Sequence, residues 1–207
     1  MNFIKRLIYS IKGVEYLKIE DVLKIDDWKL LTKIHSMNRY EEVRQLAAYI
    51  GDGIIRQIND IPRLTKIYNE SERIDAFLIS HAAIDKLAEL IAVIEDRQKL
   101  AQFLDNKYPH DVRHLAELKL ADKTKRIELV KADTNYAFSA INYSVDLDLL
   151  EFLSFDYQGQ RDFRQCAQRR LIFLTTNRDL LKRLSESNEL STDMKNAAIE
   201  CLRQNNG

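Results

Sequence analysis

Asp96-Arg97-Gln98-Lys99-Leu100 leads, after twelve residues, to the arginine of Asp111-Val112-Arg113-His114-Leu115-Ala116. The same order stands earlier in the chain, where Asp27-Trp28-Lys29-Leu30-Leu31 leads after twelve residues to the arginine of Glu42-Val43-Arg44-Gln45-Leu46-Ala47. A third copy, Asp146-Leu147-Asp148-Leu149-Leu150 leading to Asp162-Phe163-Arg164-Gln165-Cys166-Ala167, is one residue longer, at the loop that holds Gly159. Weaker copies begin near Asp60, Asp122 and Asn177. In the last, Asn177-Arg178-Asp179-Leu180-Leu181 leads to Asp193-Met194-Lys195-Asn196-Ala197-Ala198. The six starts stand 24 to 36 residues apart, a period that belongs to solenoids.

Apolar residues around these landmarks recur at helical spacing. Glu41 to Ile58 carries Val43, Leu46, Ala47, Ile50, Ile54 and Ile58. A segment from Glu72 to Ile94 carries Ile74, Phe77, Leu78, His81, Ile84, Leu87, Ala88 and Ile91 on one face, which places His81 among core residues. Asp111–Leu120, Asp162–Leu174 and Ser191–Leu202 follow the same period, and no apolar alternation of the strand type competes with it. Only 5 Gly and 2 Pro occur in 207 residues, too few for the turns of a sandwich, barrel or doubly wound sheet. Tyr157-Gln158-Gly159-Gln160 reads as a loop. Pro62 and Pro109 sit at helix starts, where a missing N–H costs little.

The pattern resembles the HEAT-like repeats in their short bacterial form. The resemblance rests on D-x3-L in a first helix and [DE]-[VF]-R-x-x-A in a second, and extends from Ile25 to Leu202. It implies an all-α fold: a right-handed α-solenoid of antiparallel helix pairs. The expectation is a single domain over residues 1–207, with residues 1–13 as an N-terminal capping helix and residues 25–204 as five to six pairs. Asp27, Asp96 and Asp146 fit helix N-caps. Ala47, Ala116, Ala167 and Ala197 fit close helix crossings. The resemblance implies that Arg44, Arg113 and Arg164 bond interrepeat carboxylates or loop carbonyls in a ladder, a structural role.

Candidate chemistry is sparse. His110 and His114 share a helix face at i, i+4, the spacing of metalloprotease helices. An aspartate stands where that motif needs glutamate, and the repeat already accounts for Asp111, Val112 and Arg113, so no metal site is expected. His110-Asp111 also matches the pair of the helical metal-dependent phosphohydrolases, but the apolar run before that pair is missing. No nucleophile elbow, phosphate-cradling loop or dinucleotide fingerprint occurs. Neither an enzyme nor a cofactor is expected. Cys166 and Cys201 have no paired spacing, as in a reducing compartment, and no stretch is apolar for long enough to span a membrane. The chain reads as cytoplasmic.

Charge is more informative. Lys and Arg total 32 against 32 Asp and Glu, which opposes a strongly nucleic-acid-loving chain as a whole. Yet Arg161, Arg164, Arg169, Arg170, Arg178, Lys182 and Arg183 crowd between Tyr157 and Leu184, with only Asp162 and Asp179 among them. From this run Arg161, Arg169, Arg170, Lys182 and Arg183 are expected as exposed partner-binding residues. In the family resembled, second helices line the concave face. The expected function is therefore a non-enzymatic scaffold or adaptor binding a protein, with an acidic surface as complement. The alternative is nucleic-acid binding through the same patch. Phe3, Ile4, Leu7, Ile8 and Ile11 form an apolar stripe with Lys5, Arg6 and Lys12 beside it. This segment fits a cap, which a solenoid end requires, better than a membrane-surface helix.

Overall fold

The computed structural model describes residues 13–73, 77–144 and 146–204. Among the described residues the chain forms thirteen α-helices, two 3-10 turns (Val14–Tyr16 and Gln102–Leu104) and no strand. The helices are α1 (Ile19–Val22), α2 (Trp28–Met37), α3 (Glu41–Arg56), α4 (Ile61–Arg73), α5 (Phe77–Ala92), α6 (Arg97–Ala101), α7 (His110–Leu120), α8 (Lys123–Ala132), α9 (Thr134–Tyr143), α10 (Leu147–Phe155), α11 (Arg161–Leu174), α12 (Arg178–Ser185) and α13 (Thr192–Gln204). The expected capping helix and Ile74 lie outside the described residues.

The repeated landmark residues do one job throughout. A helix start leaves backbone N–H groups without partners, and a short carboxylate or amide can accept them. Asp27 accepts from Lys29 and Leu30, Asp96 from Gln98 and Lys99, and Asp146 from Leu149. The weaker copies do the same: Asp60 accepts from Arg63, Asp122 from Lys125, and Asn177 from Asp179 and Leu180. The second-helix motif is absent or incomplete in these copies, but the caps are present.

The chain divides into two compact units, Met1–Leu90 and Ile91–Gly207. In the first, α2 packs on α3, and α1 and the Val14–Tyr16 turn close against them. The core gathers Leu17, Val22, Ile25, Leu31, Ile34, Val43 and Ala47. Asn38, only 2% exposed, fixes the entry to this core. Its amide donates to the carbonyls of Val14 at 2.7 Å and Leu17 at 3.1 Å, and its Oδ1 accepts from the Tyr40 N–H. Gly13, at φ 68°, begins this segment in a conformation that favours glycine.

Later in the same unit Gly51 lets α3 approach α5 closely, because a Cβ there would stand 2.9 Å from Ile79 Cδ1. That contact corrects the expected apolar face. Ile79, Ala82, Ala83, Leu87, Ala88 and Ile91 are buried, whereas Phe77, Leu78 and His81 point to solvent. His81 is thus not a core histidine. It stacks on exposed Phe77, with ring centroids 4.1 Å apart. The small Ala82-Ala83 step offers a closer-packing surface than the Phe77 row, so the helix turns that side inward.

In the second unit the pairs α6/α7, α8/α9, α10/α11 and α12/α13 each pack internally, and the second members contact one another in sequence: α7 with α9, α9 with α11, α11 with α13. Leu118, Val130, Ala137, Ala140, Leu149, Leu153 and Ala167 form one core, and Leu150, Leu171, Ile172, Leu184, Leu190 and Ala198 the next. The first core draws on three successive pairs and the second on two. Ala116 and Ala167 are fully buried as expected, but in the last pair Ala198 fills the crossing and Ala197 is only half-buried. The loop before α11 is shaped by Tyr157, whose buried ring covers Gly159. A Cβ at residue 159 would overlap that ring.

Candidate functional site

The second helices of Ile91–Gly207 each bury one side and leave another open. On α11, Ala167, Gln168 and Leu171 are buried. Gln168 donates to the Ser154 carbonyl at 2.9 Å and accepts from Ser187 Oγ, which ties α11 to the elements before and after it. At 3.6 residues per turn, the row opposite is Asp162, Cys166, Arg169 and Phe173, and all four are exposed. The matching row of α9 is Asn135, Phe138 and Asn142, and that of α13 is Asp193, Asn196, Glu200 and Arg203. Phe173 is 68% exposed and Phe138 47%. Single exposed apolar residues are common, but here two rings occupy equivalent rows of neighbouring helices.

The five basic residues expected to act together are separated by the fold. Arg161 and Arg169 lie exposed on α11, with Arg169 in the open row. Arg170 is half-buried and turned the other way. Its Nε donates to the Ser144 carbonyl at 3.1 Å and its Nη1 to the Asn142 carbonyl at 2.6 Å, so it caps the end of α9. Burial pushes its pKa below the ordinary arginine value. Lys182 and Arg183 sit on α12, a first helix, not on the second-helix face. Lys182 and Arg183 are both exposed, and Arg183 also bonds Glu151 at 2.7 Å and covers the Phe155 ring at 4.0 Å. The expected exposure of Arg170 therefore fails, because the carbonyls at the end of α9 need a donor.

Of the repeated arginines, Arg164 bonds as the resemblance implied, Arg44 does so in part through a loop carbonyl, and Arg113 does not. Arg44 donates to the Asn38 carbonyl at 3.0 Å and pairs with Glu41 of its own helix. Arg113 reaches Asn106 Oδ1 at 2.7 Å and the His110 ring. Arg164 does most. It donates to the Gly159 carbonyl at 2.8 Å and grips Glu189 of the next pair through Nε and Nη2. The Arg164 guanidinium holds the Glu189 carboxyl below its ordinary value. A second set of links joins first helices and was not foreseen. Lys123 pairs with Asp148 at 2.8 Å, Arg126 with Asp146, and Arg183 with Glu151. These partners stand 20 to 32 residues apart, a separation with no periodic signal of its own.

His110 and His114 do stand near each other, with ring centroids 5.9 Å apart. Among the described residues no group of three or more His, Cys, Asp or Glu converges as metal ligands. Instead the His114 ring stacks on Tyr136 of α9 at 4.2 Å, and Ser139 of α9 donates to Asp111 at 3.3 Å. The Tyr136 hydroxyl donates to Glu117, and burial together with that bond raises its pKa to about 12. The cluster joins α7 to α9. Burial lowers the His114 pKa, against the nearby charges of Asp111 and Asp133 and with those of His110 and Arg113.

A histidine that resists protonation when folded gives a definite pH effect. Above its ordinary pKa of 6.5 it is neutral in both states. As pH falls below that value, the unfolded chain takes up a proton that the folded chain binds more weakly, and stability declines until the lower folded pKa is passed. His114→Phe keeps the ring stack and removes the titration. The expected result is a smaller drop in urea midpoint between about pH 8 and pH 5.5 than in the parent. An unchanged drop would show that other groups set the slope.

No family model, curated protein or solved structure matches the chain. No helix among the described residues is long and apolar enough to cross a membrane.

Proposed function

We propose that Ile91–Gly207 is a non-enzymatic interaction module. Its pairs stack as in a right-handed HEAT-like solenoid, and it binds a protein on the open rows of its second helices. One observation carries this reading: Phe138 and Phe173 stand exposed on neighbouring second helices, with Arg169 in the same open row as Phe173. The opposite layer is already occupied by ion pairs between first helices. Aromatic and arginine side chains are the types that dominate protein interfaces. The complement is a surface with an acidic group for Arg169 flanked by apolar residues. Both cysteines are unpaired, which suits the reducing cytoplasm.

The nucleic-acid reading draws on Arg161, Arg169 and Lys182, all exposed. Asp162, Asp193 and Glu200 lie on the same open rows and oppose phosphate.

The test is affinity capture from the native host by parent, F138A/F173A, R169E and K182E, each with and without nuclease and at raised salt. The expected result is a protein partner that survives nuclease and K182E and is lost with F138A/F173A and R169E. Loss with nuclease and with K182E would favour nucleic acid. Equal recovery by every variant would remove both.

A further inference from the structure

The second unit holds a cavity of about 240 Å³ between α7, α8 and the α9–α10 junction, lined by Leu115, Leu118, Lys119, Arg126, Ser144, Asp146 and Leu149 among others. It lies apart from the open rows. Its walls divide by chemistry. Leu115, Leu118 and Leu149 are buried or line an apolar side. The polar side holds two cations and one carboxylate, which leaves one positive charge in excess.

Those two cations are not equivalent. The charge of Arg126 is already paired: its guanidinium bonds Asp146 and donates through Nε to the carbonyls of Leu118 at 2.8 Å and Ala121 at 3.0 Å. Lys119 has one partner, the Ala92 carbonyl, and forms no ion pair among the described residues. An ammonium carries three donors, so two have no partner among the described residues, and Lys119 lines the cavity. Withdrawal from water lowers the Lys119 pKa, against the field of Glu95. A partly desolvated cation with no carboxylate in ion-pair contact is costly, and here it borders a space that can hold one. Ser144, 8% exposed, accepts the Asp146 N–H at 3.0 Å through its hydroxyl oxygen and retains a proton to donate.

We propose that this cavity binds a small monocarboxylate with an apolar body, its carboxylate on the Lys119 ammonium and its hydrocarbon against Leu115, Leu118 and Leu149. One excess positive charge matches one negative charge. A dianion such as phosphate would face the Asp146 carboxylate with only one cation not already ion-paired. The volume lies below the roughly 300–1,000 Å³ of sites for drug-sized molecules, so the occupant is small.

Hexanoate serves as probe, with hexanol as its neutral counterpart and inorganic phosphate as the rival anion. Binding to the full chain is read by calorimetry and by NMR of the leucine methyl groups. Hexanoate should bind roughly ten- to hundredfold more tightly than hexanol, the value of one charge-assisted hydrogen bond, with shifts at Leu118 and Leu149. Lys119→Met should bring the two probes within a few-fold of each other. Lys119→Gln, which keeps a donor for the Ala92 carbonyl, should do the same if the methionine variant fails to fold. Leu149→Phe should weaken both probes by filling the space. The proposal is overturned by any of four results: no binding at about 10 mM, equal binding of hexanol and hexanoate, tighter binding of phosphate, or unchanged hexanoate affinity in both Lys119 variants.

Discussion

Leu150→Ala should destabilise the second unit by about 2–5 kcal/mol, the usual cost of truncating a fully buried leucine. Leu150 is 0% exposed. It lies in α10 but shares a core with Leu171 and Ile172 of α11, Leu184 of α12 and Ala198 of α13. Two pairs lean on it, so a cavity there cannot close by moving one helix. Urea unfolding followed by circular dichroism measures the loss, and hydrogen exchange should locate it in α10–α13. Leu147→Ala in the same helix is the control. Leu147 is partly exposed at 38%, and surface changes usually stay within about 0.5 kcal/mol. Equal effects at the two positions would mean that the shared core is not what holds these pairs.

Asp146→Ala should cost about 2–4 kcal/mol, well above the cost of the same change at Asp96. Both are N-caps, and losing a cap costs about 0.5–2 kcal/mol. Asp96 does nothing further among the described residues beyond its two cap bonds. Asp146 caps α10 and also pairs with Arg126, with side-chain exposures of 22% and 28% respectively. Its removal leaves a partly buried guanidinium without its carboxylate, a penalty between those of surface and buried pairs. Asp146→Asn should recover the cap and lose the pair, and so fall between. If Asp146→Ala and Asp96→Ala match within error, the Arg126 pair contributes nothing measurable.

The two variants show how far the sequence could be read. Asp146 and Asp96 occupy the same place in the repeat, and the sequence treats them alike. Capping is local: it needs a short acceptor a few residues before a helix, so six starts were legible, including Asp60 and Asp122 where the rest of the motif had eroded. Helix type followed for the same reason, but several ends did not: the segment read as Glu72–Ile94 falls in two helices, one ending at Arg73 and α5 running Phe77–Ala92. The buried row of α5 was legible only in part: Leu87, Ala88 and Ile91 are buried as read, but Phe77, Leu78 and His81 share their helical period and are exposed. Gly51 on another helix selected the side.

The candidate site was legible as composition and not as geometry. A run of cations between Tyr157 and Leu184 is plain in the sequence. Whether each one is left without a protein partner depends on carbonyls and carboxylates far along the chain. Arg170 is used by the end of α9, Arg183 by Glu151 and Arg164 by Glu189. The Lys119 cavity left no trace at all, since its walls come from separate helices.

The sequence by itself determined an all-helical chain, its helix starts and the repeated order of cap, arginine and alanine, because these depend on interactions within a few residues. Only the tertiary structure decided which cations remain exposed, which apolar row is buried and where a cavity forms. Those outcomes depend on groups 20 or more residues away, whose meeting is set by packing and not by period.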